Sequence, residues 1–128
     1  VTTESTPSNS FAAKTLRLLA VVEHFRTAVD PDLSMATAAV FLFVAQRSEA
    51  GSARGPVVSE VAQTLGMDIP KTSRALRVLA EGHPRSAKTT EGAGYVKITP
   101  DPFDSRARCA SLTPEGRRFL HQLQLAIG

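Results

Sequence analysis

Apolar positions recur along this chain with several periods, and each period marks an element. Phe11, Thr15, Leu18, Val22, Phe25 and Val29 alternate spacings of four and three, which predicts a helix with a heptad-like seam. Ser10 is placed to cap it. Leu16, Leu19 and Val21 add apolar surface off the seam. A helix apolar on more than one side needs more than one partner, supplied by either a dimer or a monomeric core. Asp30, Pro31 and Asp32 break the pattern. A second helix is expected from Ser34 to Ser48. Its run from Ala38 to Ala45 implies burial on nearly all sides. The same run would suit a buried strand, but its length and Ala-rich start favour a helix.

Gly51 and Gly55 punctuate a loop from Glu49 to Pro56, and Val57-Val58 forms a minimal strand. Two short helices joined by a tight turn then occupy Ser59 to Leu79. Ser59 is a good N-cap, Val61, Ala62 and Leu65 form an apolar side, and Gly66 supplies a left-handed ending. Asp68 can cap the second helix, with Pro70 tolerated in its first turn. Ile69, Thr72, Leu76, Leu79 and Ala80 share one face; Pro70, Lys71, Arg74, Arg77 and Val78 lie opposite. A helix-turn-helix has this form, its second helix packing on the first while cations and short polar groups point outward. An ordinary helical hairpin with a solvated charged face has the same pattern.

The polar run from Glu81 to Gly94 reads as an extended loop. Residues Tyr95 to Thr99 alternate as a strand, Asp101 to Ser105 form a turn, and Arg106 to Leu112 return as a second strand. Thr113 caps a final helix with Pro114 at its first position and Glu115 in its favourable first turn. Phe119, Leu120, Leu123 and Ile127 give that helix a core face. Helix, helix, helix-turn-helix, β-hairpin, helix is the order of a winged helix: mainly α, with a small β-hairpin and flanking helices at both ends. Residues 1–9, polar and rich in Ser and Thr, read as disordered, and 10–128 as one winged-helix domain. Within it, 10–29 is the expected dimerisation helix, 57–112 the helix-turn-helix plus wing, and 113–128 the C-terminal helix.

At 128 residues the chain can hold a single core without staples. Its longest apolar run is far too short to cross a bilayer, and no secretory signal is visible, so no membrane partner is expected. A single cysteine, Cys109, excludes an internal disulfide and suits the cytoplasm. The first residue is Val1, which suggests processing or truncation. Net charge is only +3, but its distribution matters. From Pro70 to Arg118 there are ten Lys and Arg against five Asp and Glu, whereas the remainder is net negative. That concentration around the motif is the footprint expected for nucleic acid, although acidic protein or lipid would also meet it.

Two segments carry a family resemblance. Asp101-Pro102-Phe103-Asp104-Ser105-Arg106-Ala107 and Ser111-Leu112-Thr113-Pro114-Glu115-Gly116-Arg117 resemble the D-P-x-D-x-R-A and S-L-T-P-E-G-R segments of the multiple-antibiotic-resistance regulator (MarR) family. Thr72-Ser73-Arg74 also looks like the family pattern, and the resemblance runs from Met35 to roughly Leu123. It implies a homodimeric, sequence-specific regulator, usually a repressor, on pseudo-palindromic double-stranded DNA. In many members a small phenolic or oxidant effector releases the DNA.

Physical roles can be given to the matching residues. Pro70, Lys71, Thr72, Ser73, Arg74 and Arg77 are the candidate recognition-helix contacts, with Thr72 bordering the core. Asp104, Ser105, Arg106 and Arg108 are the wing candidates. Arg106 would enter a narrow A·T minor groove, oriented by a charge-assisted hydrogen bond that it donates to Asp104. A simple exposed ion pair is the bland reading of those two. Arg85, Lys88 and Lys97 are candidate phosphate contacts. Phe11, Leu18, Val22, Phe25, Leu123 and Ile127 are the candidate dimer contacts.

The chain departs from the family pattern in its long Glu81–Gly94 loop and in stopping at Gly128, where members commonly continue into a helix pair. Dimerisation is therefore expected to lean on the Phe11–Val29 helix, and less material remains for an effector pocket. Enzymatic chemistry finds no support. His24, His83 and His121 lack metal-ligand spacing among themselves or with Cys109, and no nucleophile–base pair stands out. Gly92-Ala93-Gly94 has no helix start after it, so it is no phosphate loop, and no cofactor is expected. Cys109 reads as a small, semi-buried apolar residue in a strand; the family's peroxide sensors place their reactive cysteine near the N-terminus, so the resemblance implies no redox sensing here. The other class that fits is a winged-helix accessory or adaptor protein, binding nucleic acid without sequence preference or using its wing against protein.

Overall fold

The computed structural model describes residues 10–49, 55–81 and 94–128. The chain order is α1 (Phe11–Ala28), α2 (Met35–Glu49), α3 (Val58–Leu65), α4 (Ile69–Glu81), β1 (Val96–Asp101), β2 (Asp104–Leu112) and α5 (Pro114–Ile127). The fold is mainly α with one antiparallel two-stranded wing. No helix among the described residues is long and apolar enough to cross a membrane. Arg85 and Lys88 lie outside the described residues, as do residues 1–9 and most of the expected 81–94 loop.

Helix α2 is the hub, with Val40, Phe41, Val44 and Ala45 buried. Around it gathers an aromatic cluster that ties three helices to the residue before β1. Phe25 of α1 meets Phe41 edge-on at 5.8 Å and Phe119 of α5 at 5.2 Å. Tyr95, just before β1, stacks on Phe119 at 4.9 Å. Edge-to-face and offset-stacked rings satisfy the ring quadrupoles while filling volume. Burial pushes the Tyr95 phenol above its ordinary pKa.

Local capping rules account for most boundaries. The Ser10 hydroxyl accepts the Ala13 N–H at 3.0 Å, and the Ser34 hydroxyl accepts that of Thr37 at 3.1 Å. Thr113 caps α5 by accepting the Gly116 N–H at 3.0 Å, with Pro114 next in the chain. The Thr113 hydroxyl also donates to the Gly94 carbonyl, which fastens the helix start to the beginning of the wing.

Gly116 is set by close approach, since a Cβ there would collide with the Tyr95 carbonyl oxygen. The backbone, not a movable side chain, is the obstacle. Gly116→Ala is expected to destabilise the fold by about 1–3 kcal/mol through overpacking, read as a lower urea midpoint at unchanged slope. An unchanged midpoint would mean that α5 can shift without cost.

Three expectations need correction. Ser59 is not the cap of α3; Val57 is, because its carbonyl already accepts the Glu60 and Val61 N–H groups. Val57 is held extended by a bridge to Cys109, and the Ala110 N–H donates to the Pro56 carbonyl, so the helix starts where that pairing ends. Next, the five-residue turn contracts to Pro102-Phe103, because Asp101 pairs directly with Asp104. The register then shifts between Pro100 and Asp101, leaving Ser105, Arg106 and Ala107 without Cα partners on β1. Pro100 has no N–H to give to a regular ladder there. Lastly, Ile69 and Ile127 are exposed rather than facing the core. Each sits at a helix end, where a face drawn by periodicity runs past its neighbours.

Candidate nucleic-acid interface

The turn between α3 and α4 is built from two local devices. Gly66 adopts φ +67°, a left-handed value that costs a side-chain-bearing residue energy, and ends α3. Two residues later the Asp68 carboxylate accepts the Lys71 N–H at 2.7 Å and caps α4. Between these devices the chain turns, and α4 packs on α2 and α3.

The inward face of α4 consists of Thr72, Ala75, Leu76 and Leu79, all buried. Thr72 is fully buried and its hydroxyl donates to the Asp68 carbonyl at 2.9 Å. Its expected role as a nucleic-acid contact is therefore corrected: it packs the helix and cannot reach a base. Pro70, Lys71, Arg74 and Arg77 are exposed on the other side, with Ser73 half-exposed beside them. Glu60 of the neighbouring α3 is paired with Arg47 of α2, whose guanidinium lies 5.0 Å from the centre of the Phe43 ring. Asp68 is occupied by the cap. Glu60 and Asp68 are thus engaged, while the three cations of α4 project into solvent, an arrangement suited to phosphates and base edges.

The wing presents a second set. Asp104 Oδ1 accepts the Arg106 N–H at 3.1 Å, and the Arg106 Nε lies 3.4 Å from the same oxygen. The backbone bond is the better formed of the two. Asp104 therefore shapes the strand first and orients the guanidinium second. The Arg106 side chain is 92% exposed. Ser105 and Arg108 are also exposed, and Lys97 projects from β1 opposite Ser111.

The expected dimer contacts divide. Phe25 and Leu123 are buried in this chain's own core, so their part in an interface is corrected to a part in the fold. Phe11 at 88%, Leu18 at 65% and Val22 at 41% remain exposed on α1, joined by Leu16 and Leu19. Leu125 and Ile127 are exposed on α5, which packs against α1. Two residues escaped the sequence reading. Asp101, a buried acid, accepts the Phe103 N–H at 3.0 Å, and Phe103 itself stands at the wing tip. The Asp-Pro signal for a turn was present, but an apolar residue at its apex carried no role. Among the described residues no group of three His, Cys, Asp or Glu could hold a metal ion.

This is a winged helix-turn-helix protein. Among solved structures its fold is that of the MarR-family transcriptional regulators. A single-residue mutant of S. aureus MepR, bound to an oligodeoxyribonucleotide, superposes with TM-score 0.58 at 15% identity, covering 84% of this chain and 65% of that one. This chain thus spans just under two thirds of the MepR chain's length. The repressor CouR bound to a 23-mer DNA duplex superposes with TM-score 0.54 at 25% identity over 99% of this chain and 79% of that one. CouR from Rhodococcus jostii RHA1 bound to p-coumaroyl-CoA gives TM-score 0.54 at 21% identity, covering 97% and 77%. No family model matches the sequence, and no curated protein matches it either.

Proposed function

We propose that this chain is a sequence-specific DNA-binding transcriptional regulator of MarR type, acting in the cytoplasm as a homodimeric repressor on a pseudo-palindromic operator. The observation that carries the reading is the division of α4. A fully buried face fixes the helix, and Lys71, Ser73, Arg74 and Arg77 stand clear on the other side. The exposed apolar stretch of α1 supplies the self-complementary surface that a two-fold dimer needs. Similarity to DNA-bound MepR and CouR supports the partner, and CouR with p-coumaroyl-CoA supports a small-molecule effector. Residues 10–128 act as one unit, with α1 and α5 forming the dimer base and 57–112 the reading head.

Selection of bound duplexes from a random DNA pool tests the function. A palindromic consensus is expected. Retention of DNA with no enrichment would instead identify an accessory protein that binds nucleic acid without sequence preference.

The wing has its own expected outcome. Arg106 reads minor-groove width, so Arg106→Ala should lose affinity mainly on A·T-flanked sites and lower the salt-dependence slope by about one phosphate's worth. Asp104→Ala should blunt the same flank preference without removing a positive charge, because the Arg106 N–H loses its acceptor. Titration of both variants on operators differing only in their flanks makes the comparison. Unchanged flank preference in both would exclude a minor-groove role for the wing.

A further inference from the structure

The chain has six phenylalanines, and Phe25, Phe41 and Phe119 form the core cluster. Phe103 is different: it is 83% exposed at the apex of the wing, three residues before Arg106. Its backbone is held in place. The Asp101 carboxylate accepts the Phe103 N–H, Asp101 pairs with Asp104 across the turn, and Pro102 fixes its own φ. No described residue other than glycine has positive φ, so this tip is not one of the primed turns that strand twist favours. The mismatch is taken up by the register shift at Pro100/Asp101, on the same stretch that carries the exposed Arg106. The backbone of the tip is thus fixed, and it carries an exposed ring three residues before an exposed guanidinium, so one wing presents an apolar and a cationic group.

We propose that Phe103 is a wedge for the minor groove of duplex DNA. As Arg106 enters the groove flanking each half-site, the ring presses between two base pairs and partly unstacks them, bending the duplex toward the major groove. Pyrimidine–purine steps unstack most readily, so the wedge favours TA or CA at that flank, a preference separate from groove width. The inference rests on the DNA-binding reading above and adds a second sequence-reading element to the wing.

The probe is the duplex enriched from the random pool, with 2-aminopurine placed at the flanking step. Wild-type protein should raise its fluorescence on binding. Phe103→Ala should abolish the rise and weaken binding about tenfold, the size of one lost aromatic contact with a base. It should leave the salt slope unchanged, unlike Arg106→Ala. Phe103→Leu keeps an apolar wedge and should retain part of both effects. Both variants keep the backbone N–H that the Asp101 carboxylate accepts, so both should melt like the wild type. The proposal is overturned if wild-type protein binds the duplex without a fluorescence rise, or if Phe103→Ala matches wild type in affinity and signal. Either result leaves the regulator standing. Failure of wild-type protein to bind any duplex would overturn both.

Discussion

The Leu18→Glu, Val22→Glu double variant is expected to sediment as a folded monomer and to bind a two-half-site duplex about a hundredfold more weakly than wild type. Both side chains are exposed on α1, so the glutamates enter solvent in the isolated chain and spare the core. In a two-fold interface each substitution appears twice, and four carboxylates would be buried against apolar surface or one another. The loss on DNA follows from linkage. Once one half-site is engaged, the second reading head binds at a high effective concentration, and a monomer forfeits that gain. Far-ultraviolet circular dichroism separates loss of the dimer from loss of the fold. A wild type that is already monomeric at micromolar concentration would remove the dimer from the account.

Arg74→Ala should cost about 1–3 kcal/mol on the best site and relax base preference at one position of each half-site. Arg74 lies mid-helix on the outward face, one residue before the buried Ala75. Its substitution therefore changes what α4 presents and leaves its seating intact. Lys97→Ala, on the wing and suited to phosphate, should weaken all sequences about equally. Competition titrations on the enriched duplex and on random DNA distinguish them. Equal losses on both DNAs for Arg74→Ala would move it from base readout to phosphate contact.

Which features could be read from residues alone follows from how local their causes are. Gly66 and Asp68 act within one turn of chain, so the helix-turn-helix boundary was legible in the sequence. Thr113, Pro114 and Gly116 were legible as a motif, while the reason for the glycine, the Tyr95 carbonyl across the turn, is a tertiary contact. The start of α3 was misplaced for a similar reason: Val57 is held by Cys109, which is distant in sequence.

The α1 seam shows a different limit. Spacing identifies which side chains share a face, but not how far along the helix the chain's own core extends. Phe25 lies inside it, whereas Phe11, Leu18 and Val22 run beyond it. The recognition face was legible in Lys71, Arg74 and Arg77, but residue type could not separate Thr72 from them; its hydroxyl, bonded to the Asp68 carbonyl, does. At the wing, charge and the Asp-Pro pair pointed to Arg106, and nothing about residue type alone pointed to Phe103.

The central claim is that two copies of α4 read adjacent major grooves, with a wing outside each. Hydroxyl-radical cleavage of the enriched duplex, with and without saturating protein, tests it most directly. The expected pattern is two protected half-sites with centres one helical turn apart, roughly 34–36 Å, and a protected minor-groove stretch beyond each. A single protected block without two-fold symmetry, or uniform protection along the duplex, would contradict it.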